Sequence, residues 1–395
     1  MQSSWKSILA CLLFISPAPS QAFFCKATIK KKVAVAKIVP FVGAATVLGG
    51  GAALASILVQ QQQGQQQQNL YSPGPESLKG QTFLITGGTT GLGLETAKRL
   101  SLGGPQQIII TARTAAKGDI ALADIRTYLK DNNRDTEDIT LSYKVLDFDD
   151  LQGVQQAVAS WTDIDNIDCL INNAGVMAIP KREVTVDGFE RQIQTNHLGH
   201  FVLTALLAPK LSKGARIVNV ASAAYMFARP SGLDLDYCWT GEPGYGAWRS
   251  YGQSKLANIL FSQELQRRAD NAGLDWKVSC LHPGTVRTDL GRNLIGIENW
   301  EREKDNGDNL LSSTVGKALS AFLKTVEQGA STSVYLAAGA NPDAPRARYY
   351  VDCEPVTLNS FARDATAAKD LWDESEKKSG VVFSLESLSV PKVVG

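Results

Sequence analysis

Thr82-Phe83-Leu84-Ile85-Thr86-Gly87-Gly88-Thr89-Thr90-Gly91-Leu92-Gly93, running on into Leu94–Leu102, decides the reading of this chain. The β-branched and apolar run Thr82 to Thr86 predicts a strand, and the amphipathic spacing of Leu94 to Leu102 predicts a helix. Between them, Gly87, Gly91 and Gly93 free the backbone of side chains, so it can turn tightly and approach a pyrophosphate closely. Thr89 and Leu92 fill the rest of the turn. The helix behind it aims N–H donors and the positive end of its dipole at the same place. Three glycines alone are a weak signal; set between a strand and a helix, they form a candidate dinucleotide site.

Downstream the alternation repeats. Short Val/Ile/Leu-rich runs at Gln107–Ala112, Leu141–Leu146, Cys169–Asn172, Ala215–Val220 and Lys277–Leu281 alternate with amphipathic stretches, and Tyr349–Val351 is a weak seventh strand. Strands covered on both faces read as continuous apolar runs. The expectation is an α/β fold: a single doubly wound Rossmann domain over 78–380, with a parallel sheet of about seven strands and a tail at 381–395. Neither a second domain nor an internal repeat is visible.

Over 395 residues, 40 Lys+Arg balance 39 Asp+Glu for a formal charge of +1. Nucleic acid is not expected as a partner, because phosphate binding needs a concentrated basic surface. The six cysteines (11, 25, 169, 238, 280 and 353) include no CxxC pair. Cys169 and Cys280 fall in strand-like runs, which favours buried free thiols over a disulfide framework. His197, His200 and His282 are the only histidines, so no metal site is expected.

The amino-terminal part differs in kind, with no acidic residue before Glu76. Lys6 precedes an apolar run, Ile8 to Ile15, and Ser20-Gln21-Ala22 places small residues around a cut after Ala22; residues 1–22 resemble a secretory signal peptide. Residues 23–59 then begin with Phe23-Phe24, continue through the basic stretch Lys26 to Lys37, and end in Ile38–Val59. A signal followed by phenylalanine and a basic, acid-free segment resembles the bipartite presequence of algae with secondary, red-type plastids. A plain signal for the endoplasmic reticulum is the alternative. Ile38–Val59 is 22 residues long and uncharged, enough to span a bilayer, which makes it either a retained membrane anchor or a discarded piece of transit peptide. Residues 60–77, rich in Gln, Pro and Gly, read as a linker that cannot build a core.

Tyr251-Gly252-Gln253-Ser254-Lys255 carries the chemistry. On a helix, Tyr251 and Lys255 share one face, one turn apart. An ammonium beside a phenol favours the phenolate and brings the tyrosine towards the range useful for acid–base catalysis.

With the glycine turn, this segment sits in an ordered series: Asn172-Asn173-Ala174-Gly175, Asn196-His197-Leu198-Gly199, Ser222, Tyr251–Lys255 and His282-Pro283-Gly284. The series resembles the short-chain dehydrogenase/reductase family, and within it the retinol dehydrogenases and WW-domain-containing oxidoreductases. The resemblance implies Tyr251 as proton donor or acceptor at a carbonyl or alcohol oxygen. Lys255 would lower its pKa and bond the nicotinamide ribose, Ser222 would hold the substrate oxygen, and Asn196 would carry a water-linked proton relay to Lys255. On the cofactor side it implies Asp147 at the adenine and Asn173, Ala174 and Gly175 beside the cofactor. Pro283, Gly284, Val286 and Thr288 would hold the nicotinamide carboxamide. A strand-end cap is the structural alternative for Asp147. The end of the second strand, Thr111-Ala112-Arg113-Thr114, has no acid for a ribose hydroxyl, and Arg113 suits a 2′-phosphate, so NADP(H) is favoured over NAD(H). His197 and His200 are expected to be structural, His282 to orient the loop after the sixth strand, and Trp372 to be a packing anchor.

Two departures matter. The serine pair common after the fifth strand is Ala221-Ser222 here, and 28 residues separate Ser222 from Tyr251. That insertion holds Tyr225, Met226, Phe227, Tyr237, Trp239, Tyr245 and Trp248. It suits a small hydrophobic carbonyl or alcohol substrate, or else it is a surface loop packing its own aromatics. A homodimer and a membrane-associated monomer both fit the resemblance. A protochlorophyllide reductase-like plastid enzyme is a second reading, and a membrane-tethered NADP(H)-sensing scaffold a non-enzymatic third.

Overall fold

The computed structural model describes residues 70–135, 137–228, 232–286, 324–339 and 346–388. The signal-like segment, the transit-like segment with its anchor candidate, linker residues 60–69 and Thr288 lie outside the described residues. Among the described residues, no helix is long and apolar enough to cross a membrane.

The described strands are β1 (Thr82–Ile85), β2 (Gln107–Ala112), β3 (Thr140–Val145), β4 (Ile167–Asn172), β5 (Leu211–Val220), β6 (Lys277–His282), β7 (Tyr349–Val351) and β8 (Glu354–Val356). They form one sheet in the order β3-β2-β1-β4-β5-β6-β7-β8. All neighbours run parallel except β7 and β8. The expected seven parallel strands are thus corrected to eight, the last antiparallel. Glu354-Pro355-Val356 is exposed and carries no apolar run, so nothing in its composition marks a strand. It pairs because Asp352 (φ +54°) and Cys353 (φ +64°) turn the chain straight back, a two-residue hairpin turn with both residues at positive φ.

Period-two alternation divides the strand residues between two cores. Phe83, Ile85, Ile108, Ile110, Cys169 and Ile171 join one, beneath helices α1 (Gly91–Ser101), α2 (Ala115–Asp131) and α7 (Val326–Ala337). Leu84, Ile109, Leu170, Ile217, Val278 and Cys280 join the other, beneath α3 (Leu151–Ala159), α4 (Gly199–Leu207), α6 (Ala247–Asn271) and α8 (Ala365–Ser379). A short α5 (Leu235–Thr240) lies in the insertion. The cysteines Cys169, Cys238 and Cys280 are buried free thiols.

Both expected domain ends move outward. Tyr71 packs edge-on against Tyr335 and its amide donates to Ser331 Oγ at 2.8 Å, so the fold begins within the linker. At the other end, Phe383 and Leu385, assigned to the tail, are 3 % and 2 % exposed. Phe383 stacks on Trp372, which in turn stacks on Phe261 of α6. Trp372 is therefore a packing anchor, and 381–388 completes the core over α4 and α6.

Candidate active site

The strand order reverses between β1 and β4, and the crevice at such a reversal is where open α/β sheets bind ligands. Thr86, Ala112, Asn172, Val220 and His282 end or follow five parallel strands on that edge, which is why motifs far apart in sequence converge there.

In the glycine turn, Gly87 (φ +64°) and Gly91 (φ +54°) hold a backbone conformation that side chains disfavour. Gly93 is required for another reason: a Cβ there would lie 2.5 Å from both Asn173 Nδ2 and the Gly87 carbonyl. Gly88, not singled out by the sequence, is packed just as tightly, 2.6 Å from the Ile110 side chain. At α1, as at α4 and α6, no side chain caps the first turn: Thr90 makes no cap bond there. A bare backbone cradle leading into uncapped amides fits a dinucleotide pyrophosphate.

Thr86 locks this turn. Its hydroxyl accepts the amides of Asn173 (2.8 Å) and Ala174 (2.9 Å) and meets His200 Nε2 at 2.8 Å. His200 Nδ1 bonds the Asn196 carbonyl at 3.1 Å. A carbonyl only accepts, so Nδ1 carries the proton and Nε2 accepts from Thr86. Burial, the main cause, pushes the His200 pKa down to about 3, so the ring is neutral and structural. Asn173 Nδ2 donates to the Thr86 carbonyl at 2.8 Å, bracing the end of β1 against the end of β4.

Elsewhere on the cofactor side, Arg113 is exposed, directly after β2. Asp147 is exposed too, and its carboxylate accepts the Asp149 amide at 3.1 Å, so in this structure it shapes its own turn. After Pro283, Gly284 adopts φ +90°. Val286 bridges to Lys324, and Gly329 of α7 presses on both Val286 and Leu92. A Cβ on Gly329 would sit 2.4 Å from Val286 Cγ2 and 2.8 Å from Leu92 Cδ2. Gly329 lets α7 close on both the Val286 and the Leu92 side chains, a role that no local pattern marks.

On the chemical side, Tyr251 and Lys255 share a face of α6, with Lys255 Nζ 5.6 Å from the Tyr251 ring centroid. Lys255 is buried and donates to the Val220 carbonyl at 3.0 Å. Asn196 lies in a π-helical segment, Gln194–Leu198, an irregularity that recurs at functional sites. Its Nδ2 donates to the Val176 carbonyl and to Ser254 Oγ, both at 2.9 Å, while its Oδ1 accepts the Val176 amide at 2.8 Å. These bonds clamp the loop after β4 to the helix of Tyr251; none goes to Lys255. Asn196 and Lys255 instead face each other across Gly175, where a Cβ would lie 2.9 Å from Asn196 Oδ1 and 3.6 Å from Lys255 Nζ. Ser222 Oγ accepts the Ala224 amide at 3.1 Å. Gly252 lets the turn after Ser222 close on α6: a Cβ there would lie 2.7 Å from the Ala224 carbonyl.

Burial lowers the Lys255 pKa from 10.5 to about 8. The unfolded chain therefore binds this proton more tightly than the native protein, and Lys255 disfavours folding fully below pH 8, less as pH rises towards 10.5. Lys255→Met is expected to raise Tm by a few degrees at pH 7, with the gain fading by pH 10.5, in parallel thermal melts. Val220 keeps a donor in that variant, since Asn258 Nδ2 lies 3.4 Å from its carbonyl.

The aromatic insertion divides in two. Tyr225 packs on Tyr349 and Phe361, and Trp239 on Phe189. Tyr237 bonds Ser250 beneath Arg249, and Tyr245 donates to the Ile179 carbonyl at 2.8 Å. For these four the alternative of a loop packing its own aromatics holds. Phe227 and Trp248 differ: half-buried, they pack on each other, and Trp248 meets the Tyr251 ring at 6.1 Å.

A bare glycine turn at a sheet reversal, beside a buried lysine and a tyrosine one helical turn apart, defines an oxidoreductase of the dinucleotide-binding, doubly wound class. The family model for short chain dehydrogenase matches residues 81–233. Retinol dehydrogenase 14 of Mus musculus is 38 % identical over 315 residues, covering 78 % of this chain and 88 % of the relative. Short-chain dehydrogenase TIC 32 B, chloroplastic, of Brassica napus is 34 % identical over 306 residues, covering 75 % and 88 %. A crystal structure of an uncharacterized protein from Mycobacterium Paratuberculosis superposes with a TM-score of 0.59 at 31 % identity, covering 79 % of this chain and 97 % of that one. The chain belongs to the short-chain dehydrogenase/reductase family and is retinol dehydrogenase-like.

Proposed function

We propose that the protein is an NADP(H)-dependent reductase or dehydrogenase interconverting a carbonyl and an alcohol on a hydrophobic, retinoid-, apocarotenoid- or lipid-like substrate. The observation that carries this reading is the Tyr251–Lys255 pair on α6, with Lys255 buried at the end of β5, the strand that leads into Ser222. The Tyr251 hydroxyl gives a proton to the carbonyl oxygen, or takes one from the alcohol. The Lys255 ammonium favours the phenolate, and the Ser222 hydroxyl holds the oxygen on which charge develops. A bound nicotinamide supplies or accepts the hydride. Gly87, Thr89, Gly91, Leu92 and Gly93 are assigned to the pyrophosphate side, with Asp147, Asn173, Ala174, Gly175, Pro283, Gly284, Val286 and Thr288 along the rest of the cofactor. Phe227 and Trp248, beside Tyr251, support an apolar substrate.

Arg113 is assigned to the 2′-phosphate of NADP(H). Arg113→Ala is expected to raise KM for NADPH about tenfold to a hundredfold, the range of a lost charge-assisted bond, and to leave KM for NADH unchanged. A wild-type preference for NADH sinks the assignment. The leader and the chloroplast label of a Brassica napus relative favour a plastid address, with 38–59 as a membrane anchor. The test of the function is NADPH oxidation by the full-length protein across retinoid, apocarotenoid, fatty-aldehyde and steroid carbonyls. Faster turnover of small polar ketones than of retinal-like aldehydes overturns the substrate class.

A further inference from the structure

We infer that His282 is a positioning residue: its imidazole ties the backbone that carries Ser222 to the Pro283–Val286 loop, and a Lys324–Asp352 clasp holds that loop in place. The inference rests on the reading of Ser222 given above and deepens it. His282 ends β6 and is 6 % exposed. The amide of Ala223, the residue after Ser222, donates to His282 Nδ1 at 3.3 Å. An amide only donates, so Nδ1 is bare and the ring is neutral with its proton on Nε2. Burial, with Lys324 as the second cause, pushes the His282 pKa down to about 4, which preserves the acceptor across the neutral range.

The groups around His282 explain why this acceptor stays put. Val351 lies in register with it, and the next residue, Asp352, pairs with Lys324. The Lys324 amide donates to the Thr285 carbonyl at 2.8 Å, and Lys324 bridges Val286. Its side chain then runs over Gly284, where a Cβ would lie 2.5 Å from Lys324 Cδ. At φ +90° a side chain at Gly284 would be strained and would push this lysine off the path by which it reaches Asp352. The His282 ring thus ties the end of β6 to the residue after Ser222, while Lys324 ties the β7–β8 turn to the loop that follows His282. The acceptor for the Ala223 amide therefore lies one residue before the Pro283–Val286 loop that the clasp holds.

Two replacements in the full-length protein separate positioning from bulk. His282→Asn can place Oδ1 near the former Nδ1, whereas His282→Leu cannot accept a bond. Amide hydrogen exchange over 221–225, measured without cofactor, is expected to be at least tenfold faster at Ala223 in His282→Leu and near wild type in His282→Asn. With a carbonyl that wild type reduces and Tyr251→Phe does not, His282→Leu is expected to lower kcat about tenfold. KM for the dinucleotide should change less than twofold, and His282→Asn should restore most of the rate. Should His282→Leu not fold, Lys324→Met repeats both readouts, with an expected severalfold faster exchange at Ala223 and a severalfold lower kcat. Unchanged exchange in the variant used, or His282→Asn no better than His282→Leu, overturns the inference. Full activity in Tyr251→Phe would overturn the catalytic reading instead, while the exchange experiment still decides whether His282 holds Ala223.

Discussion

Tyr251→Phe is expected to lower kcat for carbonyl reduction about a hundredfold to ten-thousandfold, the usual worth of a positioned acid–base group. The phenol is the group the site offers for the proton, and phenylalanine keeps the ring while removing it. Trp248 packs edge-on against that ring at 6.1 Å and Lys255 Nζ lies 5.6 Å from its centroid, contacts that phenylalanine preserves. The melting temperature and the dinucleotide affinity should therefore stay near wild type. Loss of rate with unchanged binding identifies acid–base chemistry; loss of both would mean that the hydroxyl serves the structure of the site, and no loss of rate that the ring only packs. The wild-type rate should also fall as pH rises through about 8, where Lys255 gives up its proton and no longer stabilises a phenolate. If a Tyr251→Phe chain still performs its biological role, the scaffold reading prevails.

Gly93→Ala is expected to be the most damaging change on the cofactor side. Its single added carbon would sit 2.5 Å from the Gly87 carbonyl and 2.5 Å from Asn173 Nδ2. Relief requires α1 to move off the turn or Asn173 to release the Thr86 carbonyl that it bonds at 2.8 Å. Overpacking of this kind costs about 1–3 kcal/mol. Because the strain falls where the α1 amides must meet the pyrophosphate, NADPH affinity is expected to drop at least tenfold, beyond what the loss of stability alone would cause. Titration of NADPH fluorescence alongside thermal melts separates the two effects. Weakened stability with unchanged affinity would move the pyrophosphate away from this turn.

Much of the sheet was legible because its strands are covered on both faces. Burial leaves little choice but Ile, Val and Leu, and runs such as Ile108-Ile109-Ile110 show it. The glycine turn and the Tyr251–Lys255 spacing are equally local, since each needs only its own backbone geometry. β8 escaped because three exposed residues, one of them a proline, carry no burial signal. Phe383 and Leu385 escaped because a few apolar residues after a helix-ending Gly380 look the same whether they dock or dangle. The insertion aromatics were the hardest to place. Whether Tyr237 or Trp248 turns inward depends on partners such as Ser250, Arg249 and Phe227, not on the residue itself.

By itself the sequence determined the class of fold, the glycine turn between β1 and α1 and the one-turn spacing of Tyr251 and Lys255. These depend on periodicity and on spacings within a turn or two of one element, where covalent connection does the positioning. Only the tertiary structure decided which glycines are closely packed, which aromatics stand beside Tyr251, and which groups Asn196 and His282 bond. Gly329 meets Leu92, and His282 meets Ala223, across long separations in the chain. Such contacts depend on how the sheet brings its strand ends together, and no local run of side chains encodes them.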